Sequence, residues 1–205
     1  MRHLVKILSP LLLALLFVAC SESGPRLEPL HRDAIILAFG DSLTYGTGTS
    51  AEGSYPAQLQ QLSGHQVINA GIPGEQTAGG LARLEETIDE YQPQLLILCL
   101  GGNDMLRKKR EKEIEQNLEK MVTISRERGV PVLLLGVPRP AIFGLESAEL
   151  YYKLAERMSL PLEDTAIPEI LSDSDLKSDK IHPNTAGYRL LAEAVHQKLK
   201  ESGAL

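Results

Sequence analysis

The sequence predicts an α/β protein, a three-layer α/β/α sandwich built around a parallel sheet. From residue 34 onward, short apolar runs of strand length alternate with longer amphipathic stretches, as in strand-helix-strand units. The 205 residues, 43% hydrophobic and 23% charged, are enough for one well-cored domain and too few for two ordinary ones. We therefore expect one domain over residues 34–205.

The predicted strands are the short apolar runs, because a parallel sheet covered on both faces buries nearly every strand residue. They span residues 34–39, 66–70, 95–100, 130–136 and a short stretch near 160–162.

The predicted helices follow from apolar residues that recur every three or four positions. The clearest spans about 111–128, where Ile114, Leu118 and Met121 share one face and Gly129 ends the helix. A second helix is expected at about 77–90. The last is expected to begin near Asn184, with Tyr188, Leu191, Ala192, Val195 and Leu199 on its apolar face.

The first 19 residues predict a secretory signal peptide. Basic residues precede an apolar stretch at residues 7–19, whose 13 residues are fewer than the ~20 that span a bilayer as a helix. The sequence Phe17-Val18-Ala19-Cys20 resembles a bacterial lipobox, which predicts cleavage before Cys20 and lipidation of that cysteine. The alternatives are an ordinary signal peptide cut nearby and a buried N-terminal helix.

Residues 20–33 predict a lipidated Cys20 followed by a flexible tether, because they combine serine, glycine, two prolines and alternating charges. We therefore expect an exported protein, anchored as a bacterial lipoprotein that faces the periplasm or the extracytoplasmic side. The formal net charge of −6 argues against nucleic acid as a partner.

A candidate nucleophile follows the first strand in Gly40-Asp41-Ser42-Leu43. An isolated motif of this kind is more often a helix cap. Here the chain also offers a base, His182, because a serine hydroxyl needs an acceptor for its proton at neutral pH. Asp179, three residues earlier on the same loop, is placed to hold the other ring nitrogen.

An acyl-transfer site also needs hydrogen-bond donors for the developing oxyanion. The loop after the second strand contains Gly74, which lets the backbone approach a substrate closely. The loop after the third strand, Gly101-Gly102-Asn103-Asp104, brings the amide of Asn103 to the same edge of the sheet. Taken alone, each of these loops is an ordinary turn.

Taken together, the four blocks resemble the SGNH hydrolases, also called GDSL esterases and lipases. Ser42, Gly74, Asn103 and His182 stand in the family's four blocks in order, and Asp179 matches its acid. The resemblance runs from about residue 34 to 199 and is greatest to the bacterial periplasmic thioesterase, lysophospholipase and arylesterase branch. It implies a flavodoxin-like sheet of five parallel strands in the order 2-1-3-4-5.

The resemblance implies a serine esterase that hydrolyses carboxylic esters through an acyl-enzyme, with thioesters and lysophospholipids as alternative substrates. Ser42, His182 and Asp179 would form the catalytic triad, and Ser42, Gly74 and Asn103 the oxyanion hole. No cofactor and no metal are expected, and the partners are an ester substrate and, through the lipid anchor, a membrane. Two alternatives remain: a carbohydrate O-acetyl esterase of the cell envelope, and a non-catalytic envelope lipoprotein. The loop at 138–145, with Ile142 and Phe143, favours an acyl chain over a sugar.

Three other patterns have ordinary interpretations. Residues 46–51 fit the dinucleotide pattern G-x-G-x-x-A, but they begin several residues after the strand and precede no clear helix. The basic run 107–110 is more often a solvated surface than an anion site. Cys99 lies in an apolar strand, and His65, which has no partner pattern, is predicted to lie on the surface.

Overall fold

The structure is a computed structural model that describes residues 24–141 and 144–205. The predicted signal peptide at 1–19, the lipidation site Cys20, and Ile142 and Phe143 lie outside the described residues. Among the residues that are described, no helix combines the length and apolar character needed to cross a membrane.

The sheet is the one that the sequence predicts. The strands are β1 Ile35–Gly40, β2 Gln66–Gly71, β3 Leu95–Cys99, β4 Val132–Leu135, β5 Pro138–Ala141, β6 Gly144–Ser147 and β7 Leu162–Glu163. Five of them form one parallel sheet in the order β2-β1-β3-β4-β7, and β5 and β6 form a separate antiparallel pair. The predicted order 2-1-3-4-5 is confirmed, with β7 as the fifth strand.

The helices cover both faces of this sheet. They are α1 Ser42–Tyr45, α2 Tyr55–Ser63, α3 Thr77–Tyr91, α4 Gly102–Leu106, α5 Glu111–Glu127, α6 Glu149–Met158, α7 Ala166–Ser172 and α8 Thr185–Ser202. Helices α3, α5 and α6 pack in one layer, whereas α2, α7 and α8 pack in the other. The fold is therefore the predicted three-layer sandwich.

The core lies where the sequence is most apolar. Every residue of β3 is buried, because this strand has a neighbour on each side and a helix layer on each face. On α5, Ile114, Leu118, Met121 and Val122 are buried at helical spacing. Their burial fixes which face of α5 meets the sheet.

The structure differs from the sequence predictions at three places. Residues 138–141 and 144–147 form a hairpin where a loop was predicted. His65 is buried rather than on the surface, with 9% of its area exposed. Leu27 and Leu30, assigned to the tether, donate backbone hydrogen bonds to Ser202 O and Ala204 O at the end of α8. Both leucines are apolar and favour contact with the folded domain. The overall composition of the tether segment does not indicate this contact.

The strand order also determines where a site is expected. The chain leaves β1 toward β2 on one side, whereas β3 lies on the other side of β1. In open α/β sheets, ligands bind at the carboxyl ends of the strands beside such a switch point. The segment that follows β1 begins with Asp41 and Ser42.

Candidate active site

Ser42 begins α1 directly after β1, on a turn that requires a glycine. A Cβ atom on Gly40 would lie 2.2 Å from Thr44 Oγ1 and 2.4 Å from Cys99 O. Asp41 is the N-cap of α1, and its Oδ1 accepts a hydrogen bond from Leu43 N at 3.0 Å. The predicted helix cap is therefore present, but it is Asp41 that serves as the cap and not Ser42. The Ser42 hydroxyl is left partly exposed.

Asp41 is a buried carboxylate that the sequence did not single out. Only 2% of its area is exposed, and its Oδ2 accepts a hydrogen bond from Asn103 Nδ2 at 3.0 Å. Burial raises the pKa of the Asp41 carboxyl to about 6, although the bonds from Leu43 N and Asn103 oppose this shift. Asp41 thus links the segment that carries Ser42 to the loop that carries Asn103.

The loop before α8 brings His182 to Ser42. The distance from His182 Nε2 to Ser42 Oγ is 3.0 Å, and that from His182 Nδ1 to Asp179 Oδ2 is 2.8 Å. The second oxygen of Asp179 accepts hydrogen bonds from the backbone N–H groups of Ile181 and His182, at 2.8 and 2.9 Å. Asp179 therefore both contacts the ring and shapes the loop that presents it.

The solvent exposure of the side chain differs strongly between His182 and Asp179. The side chain of His182 is 14% exposed and that of Asp179 is 53% exposed. The hydrogen bond from His182, followed by that from Ile181 N, lowers the pKa of the Asp179 carboxyl. Asp179 is thus an ionised acceptor at neutral pH, but one that water can reach.

Helix α8 fixes the His182 loop relative to Ser42. Asn184 caps the helix, since its Oδ1 accepts a hydrogen bond from Gly187 N at 3.0 Å. One turn later the buried Tyr188 donates its hydroxyl proton to Thr47 O at 2.9 Å, in the segment just after α1. The nucleophile segment and the histidine loop are therefore tied through one helix.

Gly74 lies in a tight turn between β2 and α3. Pro73 and Gly74 occupy the middle of the turn, Gly74 has a φ of 77°, and Glu75 N donates to Ile72 O at 3.1 Å. Proline followed by a residue with positive φ is typical of a type II turn, which explains the glycine. Within the described part of the chain, neither Gly74 N–H nor Ser42 N–H donates to a protein acceptor. Both remain available to a ligand.

Asn103 lies at the start of α4, where its side chain joins two segments. Its Nδ2 donates to Asp41 Oδ2 and to Glu75 O, each at 3.0 Å. An oxyanion held by this amide would share its two hydrogens with these acceptors. Through Glu75, Asn103 also contacts the turn that carries Gly74.

A mostly apolar cleft of about 90 Å³ opens over Ser42, Asn103 and His182. Its remaining lining residues are Asp41, Leu43, Gly102, Leu106, Val137, Pro138, Leu171 and Ile181. Two of these apolar side chains are well exposed, Leu106 at 61% and Ile181 at 44%. Gly74 lies in the neighbouring loop. The cleft can therefore receive an apolar group beside the Ser42 hydroxyl.

The other sequence patterns lie away from this chemistry. Residues 46–51 lead into a short 3-10 helix at Ala51–Gly53 and contact α8 through a Thr49–Thr185 hydroxyl pair at 2.6 Å, so they do not open a helix after a strand. The basic residues 107–110 are exposed. Among the residues that the structure covers, no group of His, Cys, Asp and Glu side chains is arranged to hold a metal ion.

Four residues that support the candidate site were not predicted from the sequence: Asp41, Glu75, Arg83 and Tyr188. Asp41 directly precedes Ser42, and Glu75 directly follows Gly74. This adjacency to a motif residue is the only sequence signal for the two. Arg83 contacts Glu75 and Ala70, which lie 8 and 13 residues away, and Tyr188 contacts Thr47, which lies 141 residues away, so no helix or strand periodicity marks these two.

Comparisons with known proteins identify the family of this chain. The model of the GDSL-like Lipase/Acylhydrolase family matches residues 38–190. An arylesterase of Vibrio mimicus is 31% identical over 199 residues, covering 92% of this chain and 96% of that protein. The Escherichia coli (strain K12) protein named thioesterase 1/protease 1/lysophospholipase L1 is 32% identical over 172 residues, covering 80% and 83%.

A solved structure also matches the fold of this chain. A crystal structure of TesA superposes with a TM-score of 0.72 at 31% sequence identity, and the match covers 82% of this chain and 99% of that one. The chain therefore belongs to the GDSL-like lipase/acylhydrolase family and is a carboxylic ester hydrolase.

Proposed function

We propose that the protein is a serine esterase that works through a covalent acyl-enzyme. The observation that carries this proposal is the continuous row from Ser42 Oγ through the His182 ring to Asp179, with distances of 3.0 and 2.8 Å. A serine, a base within hydrogen-bond reach and a third group that orients the base are the parts that nucleophilic acyl transfer needs.

In the proposed mechanism, Ser42 Oγ attacks the ester carbonyl carbon while His182 Nε2 takes the hydroxyl proton. His182 then gives that proton to the leaving alcohol or thiol, and the acyl group remains on Ser42. Water repeats the sequence and releases the acid. Asp179 holds the Nδ1–H tautomer and stabilises the imidazolium. The N–H groups of Ser42 and Gly74 and the Asn103 amide receive the oxyanion.

The substrate class that we propose is an ester with an apolar acyl chain. The apolar lining of the cleft, with Leu106 and Val137, supports this choice over an acetylated sugar. The name of the Escherichia coli relative supports thioesters and lysophospholipids as further substrates of the same site.

The test is hydrolysis of a p-nitrophenyl ester series from acetate to palmitate by the purified protein and by its Ser42→Ala variant. We expect activity that depends on Ser42 and is highest with medium or long chains. Activity with acetate alone would favour a carbohydrate O-acetyl esterase. If the folded protein hydrolyses no ester faster than its Ser42→Ala variant, the esterase mechanism is refuted and the non-catalytic envelope lipoprotein is favoured.

We also propose that residues 1–19 are a signal peptide and that Cys20 carries a lipid anchor. Leu27, which donates a hydrogen bond to Ser202 O at the end of α8, would then belong to the folded domain and not to the tether. Membrane fractionation tests this proposal: Cys20→Ser is expected to release the protein from membranes, and unchanged partitioning would refute the anchor.

A further inference from the structure

Arg83, on α3, is a partly buried arginine that contacts three segments of the candidate site. Its Nε donates to Glu75 Oε1 at 2.8 Å and its Nη2 to Glu75 Oε2 at 2.6 Å, which makes a two-point ion pair. The side chains are 22% and 7% exposed. The same Nη2 donates to Ala70 O at 2.9 Å, so Arg83 holds the chain both before and after the Gly74 turn.

The guanidinium group also reaches the strand that precedes the nucleophile. Its central carbon lies 3.9 Å from the centroid of the Phe39 ring, a stacked cation–π contact. Phe39 is fully buried and stands three residues before Ser42. Arg83 therefore sets the distance between β1, which leads to Ser42, and the turn that carries Gly74.

Glu75 passes this constraint on to Asn103, because its backbone oxygen accepts a hydrogen bond from Asn103 Nδ2 at 3.0 Å. The far end of the turn is held separately: buried Asp104 accepts hydrogen bonds from Thr77 N at 2.9 Å and Thr77 Oγ1 at 2.7 Å. Between Ala70 and Thr77, the turn is held by a hydrogen bond from Ile72 N to Gly40 O at 3.0 Å, by the contact of Glu75 O with Asn103 and by the ion pair of Glu75 with Arg83. The ion pair is the contact that joins the turn to α3.

We infer that Arg83 is a positioning residue that holds the Gly74 N–H and, through Glu75, the Asn103 amide in the geometry that receives the oxyanion. The inference rests on the proposed function, because it assumes that these two groups are the donors. Arg83 does not touch the substrate. Its loss should therefore displace donors that act in the transition state and leave ground-state binding almost unchanged.

The test compares kcat and KM for p-nitrophenyl butyrate in the full-length protein, in Arg83→Lys and in the double variant Arg83→Met with Glu75→Gln. The double variant avoids leaving the Glu75 carboxylate buried without a partner, and so protects the fold. The matched control is Arg128→Met. Arg128 binds Glu85 and Asp89 on the same helix α3, and its side chain is 24% exposed, but it lies away from the cleft.

We expect the double variant to lose 10- to 100-fold in kcat, because losing one oxyanion donor outright costs about 10²–10³-fold and here donors are displaced rather than removed. KM should stay within threefold, because Arg83 does not line the cleft that receives the substrate. The kcat of Arg83→Lys should lie between those of the wild type and the double variant, because one ammonium group cannot make the two-point contact and also reach Ala70 O.

The control separates positioning from simple stabilisation. Arg128→Met should lower the melting temperature and keep kcat within threefold of wild type. Arg83 variants whose kcat matches that of Arg128→Met, or in which only KM changes, would overturn the inference. If Ser42→Ala and Asn103→Ala retained activity, the proposed function itself would fail, so the two failures are distinguishable.

Discussion

Replacing Asp179 by asparagine tests the exposed end of the candidate triad. The amide oxygen can still accept hydrogen bonds from the backbone N–H groups of Ile181 and His182, so the loop is expected to keep its shape. The amide nitrogen, however, would face His182 Nδ1 in place of the oxygen that lies there at 2.8 Å. The change therefore removes a charge and the acceptor for the Nδ1–H tautomer without removing the turn.

The expected loss follows from how much water reaches Asp179. An imidazolium and a carboxylate about 4 Å apart attract by about 1 kcal/mol in water and about 4 kcal/mol at an effective dielectric constant of about 20. The Asp179 side chain is 53% exposed, so the interaction lies between these limits. At about 1.4 kcal/mol per tenfold change, kcat should fall by roughly 10²-fold. That is well below the ~10⁴-fold that the same change costs at a buried triad acid.

The assay is p-nitrophenyl butyrate hydrolysis by Asp179→Asn, with Asp175→Asn as the control. Asp175 is exposed in the 3-10 helix Ser174–Leu176, which precedes the His182 loop, and its carboxylate accepts no hydrogen bond within the described chain. Its replacement by asparagine changes the net charge by the same amount. The control should keep wild-type kcat. A loss below threefold in Asp179→Asn would mean that Asp179 does not orient His182. A loss of 10⁴-fold or more would refute the argument from exposure.

Two further predictions concern the buried side of the site. Asn103→Ala should lower kcat by about 10²–10³-fold in steady-state assays and, because Asp41 and Glu75 O lose a donor, should cost about 1–3 kcal/mol in urea unfolding. A full-rate variant would remove Asn103 from the mechanism. The folded Asp41 carboxyl has a pKa of about 6 against an ordinary 3.8, so between these values the folded state binds the extra proton. The protonated Asp41 carboxyl therefore contributes about 3 kcal/mol to stability below pH ~4, and this contribution is lost as the pH rises through about 6. Urea unfolding at pH 4 to 7 should show that the free energy of unfolding of the wild type falls by this amount relative to that of Asp41→Asn. An equal change with pH in both proteins would contradict this prediction.

The sheet could be predicted because its signals are local. Runs such as Leu95–Cys99 are apolar throughout, and the face of α5 is marked by Ile114 and its helical repeats. The strand order came from the family resemblance. The hairpin of β5 and β6 escaped because Pro138 and the polar residues Glu146 and Ser147 break the apolar pattern of a strand.

The candidate site was predictable where a residue stands in a motif. Ser42, Asn103, His182 and Asp179 stand in short blocks at strand ends or before a helix, and a parallel sheet brings such ends to one edge. The pair of Arg83 with Glu75 and the contact of Asn103 with Asp41 depend on distances between segments 8 to 62 residues apart. No periodicity or spacing rule encodes such contacts.

The two halves of the site differ in burial, and this difference bears on how the reaction is organised. The nucleophile and the donor side rest on buried groups: Asp41 is 2% exposed, and the Glu75 carboxylate, at 7%, is bound at two points by Arg83. The base side rests on a surface loop whose acid is 53% exposed. An oxyanion needs donors that are fixed before charge develops, whereas a proton acceptor tolerates small movement about one hydrogen bond. Substitutions that loosen Asp41 or Glu75 should therefore cost more in kcat than substitutions of equal destabilisation in the His182 loop that spare His182 and Asp179.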